Sequence, residues 1–434
     1  MHAIRKVPVA LRRYPWRAVL LAMAGLAIAF LICGTAINAA FDQGVRRIDP
    51  RYTALSGTCY FAGDARHYMR IALNGYSDYD PALMPLHYSQ PNDRGWWPLF
   101  PALAAGALAL GGGECSGLIV NGLAFVLLVP VFQALTGHRR ALSLMALALL
   151  PFGAWLYVGS VESLLLVLSG LLVLAARAGE RRPRAAALLA LVIGVLVGLT
   201  DVRGLLLVPA LALWSLGLTA ARLWIRPEDD PRPTLRLVLE DASPAWAPLL
   251  GALGVALGTA AWLYQGSGHY PLWPLMIHRQ RVPDDFIGWS LSSFAYTFDS
   301  ALRLAWRGLL SMQALERSVQ VAVMVFALAL AFARIPPLWP STERIVIPAS
   351  WRIGILTLLL AMFASGQSYG LERAAAANIF VALAWHRLVF GMPDQPVTWS
   401  LLSFTGIMRW LWLLAGPALW LLSYLLLGWQ PVNG

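Results

Sequence analysis

The chain carries "GDARHYMRIALNGY" at residues 63–76, between two long apolar runs. Within it, Asp64, Arg66, His67 and Tyr68 bring a carboxylate, a guanidinium, an imidazole and a phenol close together. A carboxylate so placed has two uses. As a helix N-cap it accepts hydrogen bonds from the free N–H groups of the first turn. Facing a desolvated cavity, its pKa rises and it can act as a general base, tuned by a nearby cation such as Arg66. Both can hold at once. Tyr68, Ile71 and Ala72 recur at helical spacing from Asp64, so they share its face, and Gly75 suits the helix end. This predicts a short amphipathic helix.

Other titratable residues sit at the ends of apolar runs. Glu162 opens one, where the helix dipole favours a carboxylate. Asp201 and Arg203 occupy a turn between two others, either as a local ion pair or with the guanidinium facing a phosphate. Glu372 and Arg373 begin a later run, and Arg279, Gln280 and Arg281 lie in "GHYPLWPLMIHRQR". Arginine is the side chain best suited to hold a phosphate through paired hydrogen bonds. "WWPLFP" contributes Trp97 and Phe100, as interfacial anchors or as the wall of a groove for a lipid chain.

The elements that must position these residues are apolar helices. Of 434 residues, 59% are hydrophobic and only 13% charged, with a mean hydropathy of +0.63. A soluble protein carries about 25% charged residues. An all-α polytopic membrane protein is therefore expected, forming a single domain over 1–434. The net charge of +11 does not indicate nucleic acid, because the basic residues lie between apolar spans, where they set orientation. Residues 1–17 are basic, and the run from Ala18 to Ala40 is too long for a signal peptide and reads as an anchor.

Runs of spanning length lie near 16–38, 117–136, 141–158, 160–176, 185–200, 204–222, 246–264, 318–334, 352–366, 373–391 and 400–427. The Arg-rich connections are the N-terminus, 137–140, 177–184, 222–245 and 334–352, and the positive-inside rule places them all in the cytoplasm. Alternation then works only if the shorter run 97–113 does not cross. Its two prolines and its Gly111-Gly112-Gly113 end fit a helix that lies at the outer surface or dips in and out. About 11 crossings follow, with the N-terminus cytoplasmic. Two outer loops follow as well: 41–116, with amphipathic and re-entrant helices, and 265–317. The titratable residues named above all fall on this outer, periplasmic side. Charge gathered on one membrane face is a default sign of a site. Cys59 and Cys115 also fall outside, so a disulfide is permitted.

The order of motifs resembles the GPI mannosyltransferase II (PIG-V) family and its bacterial relatives, within the GT-C superfamily of polytopic glycosyltransferases. The resemblance covers about 57–391. It rests on an acidic residue before "HYMRIALNGY", then "PLFP", "SVES" opening a span, and a Thr200-x-x-x-Gly204 turn followed by "LLLVPAL". "GHYPLWPLMIHRQ" and "LERAAAANIFVAL" are similar to later segments of that family. The sequence has Gly63 where the family usually has Trp, and Thr200-Asp201 where it usually has Thr-Arg.

The resemblance implies a GT-C-like bundle in the bacterial inner membrane, using a polyprenyl-phosphate sugar, mannose by analogy, on the periplasmic side. It assigns the acidic residue of the first outer loop, Asp64, to the active site. Trp97 to Pro101 map to the aromatic-proline segment, and Ser160 or Ser163 with Glu162 to a Ser-Glu pair. Asp64 would take the acceptor's proton as it attacks the anomeric carbon, with inversion. Arg203, Arg373 or the Arg279/Arg281 pair would stabilise the leaving lipid phosphate. The acceptor is a glycan, a lipid or a protein hydroxyl. No cofactor is required, and a divalent metal is permitted but not indicated by any ligand cluster. The rival class is a lipid or sugar transporter, which also keeps charges beside a membrane cavity.

Overall fold

A computed structural model of the chain describes residues 65–76, 97–145, 156, 161–224, 243–266, 312–332, 347–365, 375–391, 406–414 and 416, with Arg17, Leu20, Leu21 and Ala24. Every regular element among them is a helix: α1 (Ala65–Asn74), α2 (Leu99–Ala107), α3 (Ser116–Thr136), α4 (Ala141–Met145), α5 (Glu162–Ala178), α6 (Pro183–Gly198), α7 (Leu207–Trp224), α8 (Trp246–Gly266), α9 (Met312–Phe332), α10 (Ala349–Ser365) and α11 (Ile379–Phe390).

Among the described residues, three helical stretches are long and apolar enough to cross a membrane: Ser116–Thr136, Val202–Ala220 and Ser243–Tyr264. At 1.5 Å per residue each matches a hydrocarbon core of about 30 Å. On α3, Ile119, Leu123 and Leu127 are exposed while Val120, Ala124 and Leu128 are buried. The same split on α6 leaves Leu188, Leu189 and Val192 exposed. A helix that is apolar on both its buried and its exposed face suits lipid rather than water.

Side-chain contacts set the helix directions. Asn121 Nδ2 and Ser163 Oγ both donate to the Leu156 carbonyl at 2.7 Å, near the starts of α3 and α5. At the far ends, Arg177 Nη1 donates to the Leu135 carbonyl at 2.8 Å. So α3 and α5 run parallel, from an end we term upper to one we term lower. α6 returns upward, and α8 runs parallel to it at very close approach. A Cβ added to Gly194 or Gly198 would strike the Gly251 or Val255 carbonyl, and one added to Gly254 or Gly258 would strike Leu191 or Val195. Small residues of this kind let membrane helices approach until their backbones touch. Ser215 Oγ of α7 donates to the Ala245 carbonyl at 2.9 Å, just before α8, which makes α7 descend.

α10 ascends, from Trp351 beside the Arg177 guanidinium (6.0 Å) to Thr357, whose hydroxyl lies 2.8 Å from the Leu206 carbonyl. α11 descends, but it begins inside the bundle. The sequence leads us to expect one continuous span over 373–391. The structure instead breaks the chain at Ala377–Asn378, where Asn378 has φ −88° and ψ 111°. The Asn378 side chain accepts from the Phe380 and Val381 N–H groups and donates to the Gly354 carbonyl at 2.9 Å. The amide thus satisfies the backbone groups that the break exposes.

α2 is short and apolar. Its first N–H, from Leu99, donates to the Leu199 carbonyl at the upper end of α6 (3.0 Å). Its last turn runs through Leu108–Gly112, where Gly111 takes φ 92°, and through Gly113–Cys115 into the upper end of α3. Both ends of α2 therefore lie at the upper end of the bundle. Cys115 is disulfide-bonded, with its partner outside the described residues.

Candidate functional site

The upper end holds a buried cluster of charge. Glu162 is the first residue of α5 and is fully buried, and Asp201 is 6% exposed. Asp201 is extended (φ −166°, ψ 148°) and caps the turn Val202–Leu206 by accepting from the Arg203 N–H at 2.8 Å. The chain there folds back, so Arg203 meets its own cap. Its Nε and Nη2 donate to Asp201 Oδ1 and Oδ2 at 2.8 and 2.7 Å, in a two-pronged pair. Its Nη1 donates to Glu162 Oε1 at 3.0 Å, which joins the start of α5 to the α6–α7 turn. The sequence left Arg203 either as an ion pair or as facing a phosphate. In the structure its fork is filled by two carboxylates. Ionised together, the three side chains carry one surplus negative charge.

Above this cluster lies α1. Its Tyr68, Met69 and Ile71 are buried, Ala72 is half-buried, and Arg70 and Leu73 are exposed. Gly75, at φ 74°, ends the helix in the left-handed region that glycine adopts readily. The Tyr68 ring packs edge-on against Phe100 of α2 at 5.2 Å. Tyr76 meets Trp262 near the upper end of α8 at 5.0 Å. α1 thus lies across the upper ends of several helices. Phe100 beneath it and Trp97 just before α2 are buried, at 0% and 6% exposure, inside protein packing.

Of the residues singled out from the sequence, Tyr68, Trp97, Phe100, Glu162, Asp201 and Arg203 gather at this end. Arg66 and His67 fall on the first turn of α1, and their side chains lie outside the described residues. Asp64, Arg279, Gln280, Arg281, Glu372 and Arg373 also lie outside them. Sequence reasoning did not anticipate the role of Asn121, which joins Ser163 on the Leu156 carbonyl one layer below the charges. The available signal was an amide inside an apolar span, which is costly there and marks a structural or functional contact.

The lower end is basic and aromatic. His138 and His386 pack ring to ring at 4.6 Å, flanked by Phe132 and Phe390. His138 Nε2 lies 3.4 Å from the Gly391 carbonyl, and His386 Nε2 lies 3.2 Å from that of Ser143. Burial holds the His138 imidazole below its ordinary value. Arg140, Arg387 and Arg409 push the same way, while the Gly391 carbonyl opposes them. Among the described residues no three His, Cys, Asp or Glu side chains converge into a metal-ligand set. No family model, curated protein or solved structure matches this chain.

Proposed function

We propose that the protein is a GT-C-like integral-membrane glycosyltransferase, with about 11 crossings. It moves a sugar, mannose by the resemblance to the PIG-V family, from a polyprenyl-phosphate donor to an acceptor hydroxyl. The observation that supports this most is the Glu162–Arg203–Asp201 cluster, with both carboxylates buried and the guanidinium half-buried, at one end of an apolar bundle. Over it lies the amphipathic helix whose first residue directly follows Asp64. Buried charge of this kind is expensive in an apolar bundle and is retained where it serves a site.

In this reading the upper end is periplasmic. The lower end carries the connections 137–140 and 177–184 with their arginines, as the positive-inside rule requires of a cytoplasmic face. The disulfide at Cys115 belongs to the oxidising side. Asp64 is the general base that accepts the acceptor's proton as its oxygen attacks the anomeric carbon. The polyprenyl phosphate departs from the opposite face, inverting the centre. Arg279, Arg281 and Arg373 are the guanidinium groups left to hold that phosphate, since the Arg203 fork is engaged by carboxylates.

A transporter is the second reading, and one feature favours it. α11 begins at a break inside the bundle, as helices do at the binding sites of many transporters. The two readings separate in sealed proteoliposomes given radiolabelled polyprenyl-phosphate mannose and membrane extract. The glycosyltransferase yields a labelled product with no gradient applied. A transporter moves label across the bilayer and leaves the donor intact.

A further inference from the structure

Arg203 offers five N–H donors. Three of them meet Asp201 and Glu162 at 2.7–3.0 Å. A phosphate brought to this guanidinium would meet two carboxylates with it, and the repulsion would oppose binding. The task of the guanidinium therefore lies within the protein. It joins the first turn of α5 to the α6–α7 turn, and Asp201 of that turn lies two residues beyond Leu199. Tyr68 is in turn wedged against Phe100, whose helix α2 is tied to the end of α6 through the Leu99–Leu199 bond. The other end of α1 is held by the Tyr76–Trp262 contact.

We propose that Arg203 is a positioning residue: by pairing with Glu162 and Asp201 it fixes the turn to which α2 is tied, and through Phe100 against Tyr68 it seats α1, the helix that Asp64 precedes, rather than binding the donor's phosphate. The seating of α1 stands on geometry alone. Its consequence for catalysis rests on the glycosyltransferase reading above.

The test compares wild type, Arg203→Gln and the charge-free triple variant Glu162→Gln/Asp201→Asn/Arg203→Gln, each purified as the full chain in detergent. Amide hydrogen exchange is followed over residues 65–75. Arg203→Gln leaves two carboxylates without their cation, and exchange in α1 is expected to rise about tenfold over wild type. The triple variant keeps amide partners without surplus charge, and its exchange is expected to return to within about twofold of wild type. In sugar transfer, Arg203→Gln lowers kcat at unchanged donor KM, and the triple variant recovers.

Native exchange in α1 of a folded Arg203→Gln protein overturns the proposal, as does a triple variant that fails to recover. A raised donor KM that persists in the triple variant makes Arg203 a phosphate ligand and overturns it as well. Where Arg203→Gln does not fold, the triple variant decides: native α1 exchange with a wild-type donor KM supports the proposal, and native exchange with a raised KM refutes it. If wild type transfers no sugar, the exchange data still decide the seating of α1, and only the glycosyltransferase reading fails.

Discussion

Arg203 has two carboxylate partners in an apolar bundle, so replacing it differs from replacing a surface arginine. Arg203→Ala leaves Glu162 and Asp201 buried without a cation and is expected to destabilise the protein by about 3–5 kcal/mol. Thermal unfolding in detergent measures this. Glu162→Gln keeps an acceptor for Nη1 and leaves the Asp201 pair intact, so its loss is smaller. His138 makes stability depend on pH. Its folded pKa lies below the ordinary value of 6.5. The unfolded chain therefore binds a proton that the folded chain does not as pH falls through that value. Stability is full above the unfolded pKa and declines on acidification until the folded imidazole also titrates. Tm should fall as pH drops through the ordinary imidazole value of 6.5, and His138→Asn should flatten that slope. An unchanged slope in the variant removes His138 as the cause. The pairing of Asp201 with Arg203 was legible in the sequence, because the two lie in one turn. The Glu162 partner was not, since 41 residues separate it from Arg203 and only the packing of α5 against α6 brings them together.

Helix packing explains which positions tolerate change. Gly198 and Gly258 sit where α6 and α8 touch backbone to backbone, and a Cβ at either would strike a carbonyl. Gly198→Ala or Gly258→Ala is expected to cost about 1–3 kcal/mol through overpacking. Gly217 on α7 has open space around it, so Gly217→Ala should be neutral or stabilising. Equal losses at all three sites would contradict the close α6–α8 approach. The amphipathic α1 was readable from Tyr68 and Ile71 at helical spacing with Gly75 at the end. Apolar runs likewise marked most helices, because lipid-facing and buried faces are both apolar. The break before α11 was not readable. "RAAAANIFVAL" continues one apolar run through Asn378 with no Gly or Pro to mark a break, and only the Gly354 carbonyl and the two N–H groups that its amide meets reveal why the chain turns there.

For the whole molecule, the two ends of the bundle differ in kind. Carboxylates, a disulfide-bonded cysteine and a helix lying crosswise mark one end, and exposed arginines with a buried histidine pair mark the other. With the upper end periplasmic, a cysteine at Arg182 should label from the cytoplasm only. Labelling from the periplasm would invert the proposed orientation. In the glycosyltransferase reading the segment opening α1 supplies the base for sugar transfer, and replacing Asp64 probes that role. Asp64→Asn protein, shown by its exchange pattern to be folded and by labelling to be inserted, is given radiolabelled polyprenyl-phosphate mannose and acceptor extract beside wild type. Labelled product is expected from wild type and none from Asp64→Asn at equal donor binding. Product at the wild-type rate from Asp64→Asn would contradict that role.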